Sequence, residues 1–375
     1  MDLSLTEEQE MLRNFARDFL EKECPESHVR DMEDDEQGYS PELWRKMAEQ
    51  GWQGLIIPEA YGGVGMGYLD LIVLIEEFGR ALVPGPFIPT TLAALAILEA
   101  GSEEQKQQHL LRIASGDQIW TLAFTEPSGR FDAEGVQLTA TTDGDAYVLN
   151  GTKLFIRDSH VADNMVVVAR TGSSGEEGVT LFIVDAKAAG VTHTLLRTLA
   201  SDRQTEVRFE NVRVPAANLM GAEGEAWPAF QRVANKATVL ECAYLVGLTQ
   251  QDFDITIDYA KERLQFERPI GSFQAIQHKA ADMATDLDGS RLIMYRAAWA
   301  VAENDPDEDE QVHVAKAWIS EATRRVVANA QQAHGGIGFT KDYKIQLYFR
   351  RQKASELAWG DAEYHRELLA KTLGV

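Results

Sequence analysis

Cysteine is almost missing from this chain: its 375 residues include two, Cys24 and Cys242. Two distant thiols support neither a disulfide framework nor a thiolate metal site. HExxH, CxxC, Walker and GxSxG patterns are absent too. Zinc hydrolysis, dithiol redox chemistry, P-loop phosphoryl transfer and nucleophile-elbow chemistry therefore lack their usual residues, and no metal is expected. Positive charge is scarce. Lys and Arg number 36 against 59 Asp and Glu, a formal net charge of -23. Such a surface repels phosphate backbones and anionic lipid, which argues against nucleic-acid and membrane partners. No apolar run approaches the ~20 residues of a membrane span. The first residues show neither the basic nor the apolar region of a signal peptide, so a cytoplasmic location is expected.

What the chain does have is apolar material, 45% of its residues, in a pattern that changes twice. Thr6 with Gln9 forms a capping-box pattern ahead of helical spacing at Met11, Phe15, Phe19 and Leu20. Ser40-Pro41-Glu42 is a second helix start. The glycine-rich run at 61–67 reads as a loop; no strand precedes it, so it is not a dinucleotide fingerprint. Helical periodicity returns over about 69–80 and 90–115. From Trp120 the texture turns to Thr, Val and Phe with turn dipeptides. Residues 147–156 read as two strands around an Asn150-Gly151 turn, with further strands at 165–169, 180–184 and 206–209. Beyond Pro228 the helical period resumes. These readings give a mainly helical α+β fold in three domains: an N-terminal helical domain (1–118), a middle antiparallel β-barrel or sandwich (119–226) and a C-terminal four-helix bundle (227–375).

Several spaced segments then carry a resemblance. They are Pro58-Glu59-Ala60-Tyr61-Gly62-Gly63 with Glu76-Glu77-Phe78-Gly79, then Phe124-Thr125-Glu126-Pro127, then residues 147–153 and 207–215. Arg263-Leu264-Gln265-Phe266-Glu267-Arg268-Pro269-Ile270-Gly271 and Gln332-Ala333-His334-Gly335-Gly336 complete the set. In this order and spacing the chain resembles the acyl-CoA dehydrogenase family over nearly its whole length. The resemblance implies the same three-domain fold, a tetramer built through the bundle, and FAD as cofactor. It implies that the flavin lies between the β-domain and the bundle, with the adenosine half reaching a neighbouring subunit. Arg263 is then a fork for pyrophosphate, Phe266 a surface for adenine, and Gln274 and Gln332 donors to sugar or phosphate. Gly335 and Gly336 let backbone amides approach the anion, and Thr125 meets the flavin edge. Read without the family, Arg263 is a solvated helix residue, the glycines are a helix stop and Thr125 is a strand-end threonine.

The chain also departs from that pattern. The family's usual base, a Glu after the last glycine-rich turn, falls at Trp359, and an indole cannot accept the proton. The alternative family position, on the first long bundle helix, falls at Ala237. One turn further stands Glu241, the only charge in residues 237–248 and on the same helical side as 237 and 244. Burial there favours the neutral carboxyl, which suits a general base near neutral pH; the other reading is a structural acid paired with a buried cation. Asp361 is the rival base, though its place before the last helix is that of an N-cap, and it is also spaced to pair with His365. Arg157 replaces the hydroxyl usual near the flavin; it stabilises reduced flavin, intrudes on the flavin site, or faces water as a strand-end residue.

The activity implied is FAD-dependent α,β-desaturation of an acyl-CoA, with a bulky or unusual acyl group (branched, cyclic or steroid-derived) and electrons passed to an electron-transfer flavoprotein. This places the chain in fatty acid or steroid catabolism. The alternative is a non-catalytic subunit of a mixed tetramer that lends the adenosine side of the FAD site to a related chain. A homotetramer and a heterotetramer both remain open at this stage.

Overall fold

A computed structural model describes residues 4–172 and 174–375. In chain order the helices are α1 (Glu7–Glu23), α2 (Glu26–Asp34), α3 (Pro41–Glu49), α4 (Tyr68–Ala81), α5 (Phe87–Ala100) and α6 (Glu103–Ala114). Strands follow: β1 (Trp120–Ala123), β2 (Thr139–Asp143), β3 (Ala146–Arg157), β4 (Asn164–Arg170), β5 (Val179–Asp185), β6 (Val191–Leu196), β7 (Gln204–Pro215) and β8 (Leu219–Met220). Then come α7 (Trp227–Glu262), the two-residue strands β9 (Leu264–Gln265) and β10 (Arg268–Pro269), α8 (Gln274–Glu303), α9 (Glu308–His334), α10 (Ile345–Leu357) and α11 (Ala362–Thr372). The chain divides into two compact units: residues 30–66 with 84–234, and residues up to Val29 with 67–83 and 235–375.

Local chemistry sets the helix starts. Thr6 and Gln9 form the expected capping box, with Thr6 Oγ1 accepting from the Gln9 amide at 3.2 Å. Ser40 caps α3 ahead of Pro41. The helical stretch expected over 90–115 is two helices, because Gly101 stops α5 and Ser102 with Gln105 forms a new capping box for α6.

In the first unit the sheet runs β6-β7-β3-β2-β4-β5-β8, with β1 alongside β4. Its end strands do not pair with each other, so the expected barrel is not closed. The sheet is mixed rather than antiparallel: β1 and β4 are parallel. The Asn150-Gly151 hairpin does not form either. β3 runs straight through it, because Leu149 pairs with Val212 and Gly151 with Phe209 across a register shift. Asn150 Oδ1 accepts from the amide of Asn211, itself left-handed at φ 54°, which marks a bulge rather than a turn. The hairpin lies one segment earlier, at Gly144 (φ 66°) between β2 and β3.

The second unit is helical, with α7, α8 and α9 at 36, 30 and 27 residues joined by the shorter α10 and α11. The Glu76-Glu77-Phe78-Gly79 motif organises it. Glu76 accepts from Arg291 Nε and Tyr295 OH, both at 3.0 Å, while Arg17 grips Glu77 with two hydrogen bonds, and Phe78 is buried. Gly79 lets α4 touch α7: a Cβ there would lie 2.1 Å from the Tyr244 carbonyl oxygen, and one on Gly247 would lie 1.7 Å from that of Glu76. The two helices cross backbone against backbone.

Candidate active site and cofactor surface

In the first unit, Thr125 and Arg157 occupy neighbouring edges. The Thr125 carbonyl accepts from the Leu154 amide at 2.8 Å, and Thr121 Oγ1 donates to the Arg157 carbonyl at 2.7 Å, so the Thr-Glu-Pro segment lies against the end of β3. Phe155 between them is left-handed (φ 58°) and exposed. Beneath this edge lies a pair that sequence reasoning missed. Lys153, fully buried, donates to Glu126 Oε1 at 2.7 Å and to the Phe124 carbonyl at 3.0 Å. The Glu126 carboxylate also accepts from the amides of Gln137 and Leu138. Burial pushes the Lys153 ammonium below its ordinary value, and Glu126 opposes the shift. Two of the motif residues thus serve the fold and hold Thr125 in place.

In the second unit, the cofactor candidates gather at one end of the helices. β9 and β10 form a hairpin whose two turn residues, Phe266 (φ 53°) and Glu267 (φ 65°), are both left-handed, the signature of a primed turn. Phe266 is 85% exposed on its tip. Its ring meets Phe273 edge-on at 6.0 Å, and Arg268 lies over the same Phe273 ring. Arg263 and Gln274 flank the hairpin and are exposed. The end of α9 is drawn to the end of α7 by His334, whose ring stacks on Tyr259 at 4.3 Å. That stack places Gln332, Gly335 and Gly336 beside the segment that ends in Arg263. Gly335 is left-handed (φ 63°), and a Cβ on either glycine would meet nothing within 4 Å. An accessible guanidinium, an exposed aromatic ring and open backbone suit an adenine dinucleotide's diphosphate, sugar and base; the donor set fits FAD.

Glu241 sits elsewhere, in the middle of α7, with 1% exposure. Val239, Leu240, Ala243 and Leu245 around it are fully buried. The surroundings are not wholly apolar, however. Lys316 of α9 is also fully buried and interacts electrostatically with Glu241, Cys242, Glu356 and Asp361. Its Nζ donates to the carbonyls of Glu356 (2.7 Å) and Ser355 (3.1 Å) at the end of α10. Burial lowers the Lys316 ammonium from its ordinary value, and the neighbouring acids and thiol resist this. Burial also pushes the Cys242 thiol up to about 12. Helical spacing with Val312, Ile319 and Ser320 was the sequence signal that could have marked Lys316 as inward-facing.

Asp361 caps α11, its Oδ1 accepting from the Tyr364 amide at 3.0 Å. His365 bonds elsewhere than to Asp361. Its Nε2 donates to the Trp359 carbonyl (2.9 Å) and its Nδ1 meets His313 Nδ1 at 3.1 Å. That pattern fixes His313 as the donor between the two rings. Burial drives His365 down to about 3, so it is a neutral structural link. Trp359 is left-handed (φ 60°), and Gly360 follows at φ 95°.

Comparison with known proteins identifies the family of the chain as a whole. Family models for the acyl-CoA dehydrogenase N-terminal, middle and C-terminal domains match residues 6–117, 121–212 and 224–374. The probable acyl-CoA dehydrogenase YngJ of Bacillus subtilis is 36% identical, with each chain covered in full. A chain in the structure of the electron transferring flavoprotein of Acidaminococcus fermentans superposes with a TM-score of 0.92 at 32% identity, covering 100% of this chain and 99% of that one. One in the ChsE4-ChsE5 complex from Mycobacterium tuberculosis gives 0.91 at 32%, with the same coverage. With three consecutive domain models matched and its length shared by these relatives, the chain belongs to the acyl-CoA dehydrogenase family, oxidoreductases that act on CH-CH bonds and typically bind FAD.

Proposed function

We propose that this chain desaturates the α,β bond of an acyl-CoA thioester, with Glu241 as the base that takes the α-proton. The observation that supports this most is a carboxylate at 1% exposure within an otherwise uncharged stretch of α7. A buried carboxylate needs a countercharge, and Lys316 is near enough to interact with it. Arg263, Phe266, Gln274, Gln332, Gly335 and Gly336 hold the adenosine diphosphate half of FAD, and Thr125 and Arg157 meet the flavin. FAD, when bound, supplies the acceptor for the β-hydride. Asp361 remains a helix cap, since its carboxylate already serves the Tyr364 amide. Ala237, where some relatives carry Glu, leaves room for a bulky acyl group. The likeness to a chain in an electron transferring flavoprotein structure supports such a protein as the electron acceptor. A tetramer and a cytoplasmic location complete the reading.

A second reading has its own observation. The usual base position is Trp359, Arg157 stands at the flavin side, and the adenosine-side surface keeps the family residues. That asymmetry suits a helper subunit in a mixed tetramer, and the likeness to a chain of the ChsE4-ChsE5 complex supports it. Expression of the chain alone separates the two. Yellow protein whose flavin bleaches anaerobically with an acyl-CoA panel and yields an enoyl product supports the dehydrogenase. Colourless protein that turns yellow only with a co-expressed relative supports the helper subunit and overturns the first reading.

A further inference from the structure

We propose that Lys316 is a positioning residue for this reaction: one buried ammonium terminates α10, sets the turn that carries Trp359, and supplies the countercharge of Glu241. The proposal rests on the dehydrogenase reading and adds a residue to it.

The geometry begins with a helix end. α10 stops at Leu357 and has no basic residue in its last turn. The Ala354 carbonyl is taken by the Ala358 amide, but the carbonyls of Ser355 and Glu356 lie beyond the reach of intrahelical donors. Buried without partners, they would each carry the full desolvation penalty of an unsatisfied carbonyl. Lys316 Nζ reaches across from α9 and donates to both, and its third proton points toward Ser320 Oγ at 3.4 Å. A cation at a helix C-terminus also opposes the partial negative charge gathered there. The chain then leaves α10 in one direction only. Trp359 is left-handed, its carbonyl held by His365, and Gly360 is fixed against the Tyr364 ring, where a Cβ would lie 2.2 Å from that ring.

The same ammonium faces α7. Cys242 and Glu241 act on it from α7, Glu356 from α10 and Asp361 from the cap of α11, and all four favour its charged form. Burial lowers both His313 and His365, the latter to about 3, which disfavours positive charge on these rings, while Lys353 (3.1 Å) and Arg324 (3.4 Å) are further cations on the Glu356 carboxylate. Lys316 is the fully buried cation of this cluster, and it is shared between a helix end and the acids facing it.

The test uses the full chain loaded with FAD, mixed anaerobically with an acyl-CoA that bleaches it, from pH 5.5 to 9. Lys316→Gln keeps amide donors for the two carbonyls and removes the charge. The acid limb of the bleaching rate should move to higher pH by about 1–3 units, while Lys316→Arg stays near the parent. Lys316→Met, which loses the donors as well, should also speed amide hydrogen exchange at residues 358–361 by at least about tenfold, roughly the 1.4 kcal/mol that a factor of ten represents. An unmoved acid limb in Lys316→Gln overturns the countercharge. Unchanged exchange in Lys316→Met overturns the positioning. If Glu241→Gln bleaches at the parent rate, the dehydrogenase reading with Glu241 as base fails separately, and the exchange comparison alone decides the role of Lys316. Should the Met variant not fold, the acid limb of Lys316→Gln decides alone, a shift to higher pH supporting the proposal and an unmoved limb overturning it.

Discussion

Lys153 and Lys316 are both fully buried, one in each unit, yet the protein compensates them in different ways. Lys153 meets a carboxylate directly, at 2.7 Å, and that carboxylate is further tied to two backbone amides. The charge is spent where it stands, on holding the Thr-Glu-Pro segment against β3. Lys316 meets carbonyls directly and carboxylates at longer range. A pair closed on itself makes structure. A cation whose hydrogen bonds go to backbone acts on the nearby acids through its charge alone, and that difference separates the two buried lysines.

Breaking the two lysines shows the contrast most strongly. Lys153→Gln strands the buried Glu126 carboxylate, so chemical denaturation should show a loss of about 3–5 kcal/mol, and Lys153→Met with Glu126→Leu should recover much of it. Lys316→Gln keeps donors for two carbonyls and should cost less, about 1–2 kcal/mol. Equal losses in the two variants would erase the distinction.

The titrations sharpen it. His365, ordinarily at 6.5 and held down to about 3, is neutral in the fold but charged in the unfolded chain below 6.5. Its contribution to stability is present above that value and is lost as pH falls toward 3. Asp158 behaves oppositely. Burial is the main force raising its carboxyl from 3.8 to about 7, with Asp202 adding to it. Its contribution is present below 3.8 and lost as pH rises through 7. Between pH 4 and 6.5 the two slopes oppose each other, each at most about 1.4 kcal/mol per pH unit. Denaturation midpoints across that range should show His365→Asn flattening the acid-side loss and Asp158→Asn flattening the loss toward neutrality. The smallest effect belongs to Asp361→Ala: about 1 kcal/mol from the lost cap, with flavin bleaching unchanged. A large fall in bleaching there would return Asp361 to the catalytic role.

Much of this was legible in the residues, for local reasons. Capping boxes, the Ser40-Pro41 start and the Asp361 cap depend on side chains within three residues of the backbone they serve, so sequence spacing suffices. Asn150-Gly151 misled because a turn dipeptide states only what the backbone tolerates. Partners on both sides, β2 and β7, turned that tolerance into a bulge. Between barrel and sandwich, closure is decided by pairing between distant strands, which alternation does not encode, and the sheet stays open. At the hairpin end of the helices, the Arg263 and Gln332 segments were each readable, but their meeting depends on the Tyr259–His334 stack across 75 positions of sequence (334 minus 259). Glu241 stood out as a lone charge in an apolar helix. Lys316 did not, because its neighbours include His313 and Glu321 and its burial is set by α7 and α10.

The most direct test of the account is anaerobic flavin bleaching by acyl-CoA thioesters in Glu241→Gln against the parent, with the protein alone and loaded with FAD. The account predicts that the variant stays yellow, binds the thioester and fails to bleach at any pH. Bleaching at the parent rate, with enoyl product formed, would contradict it.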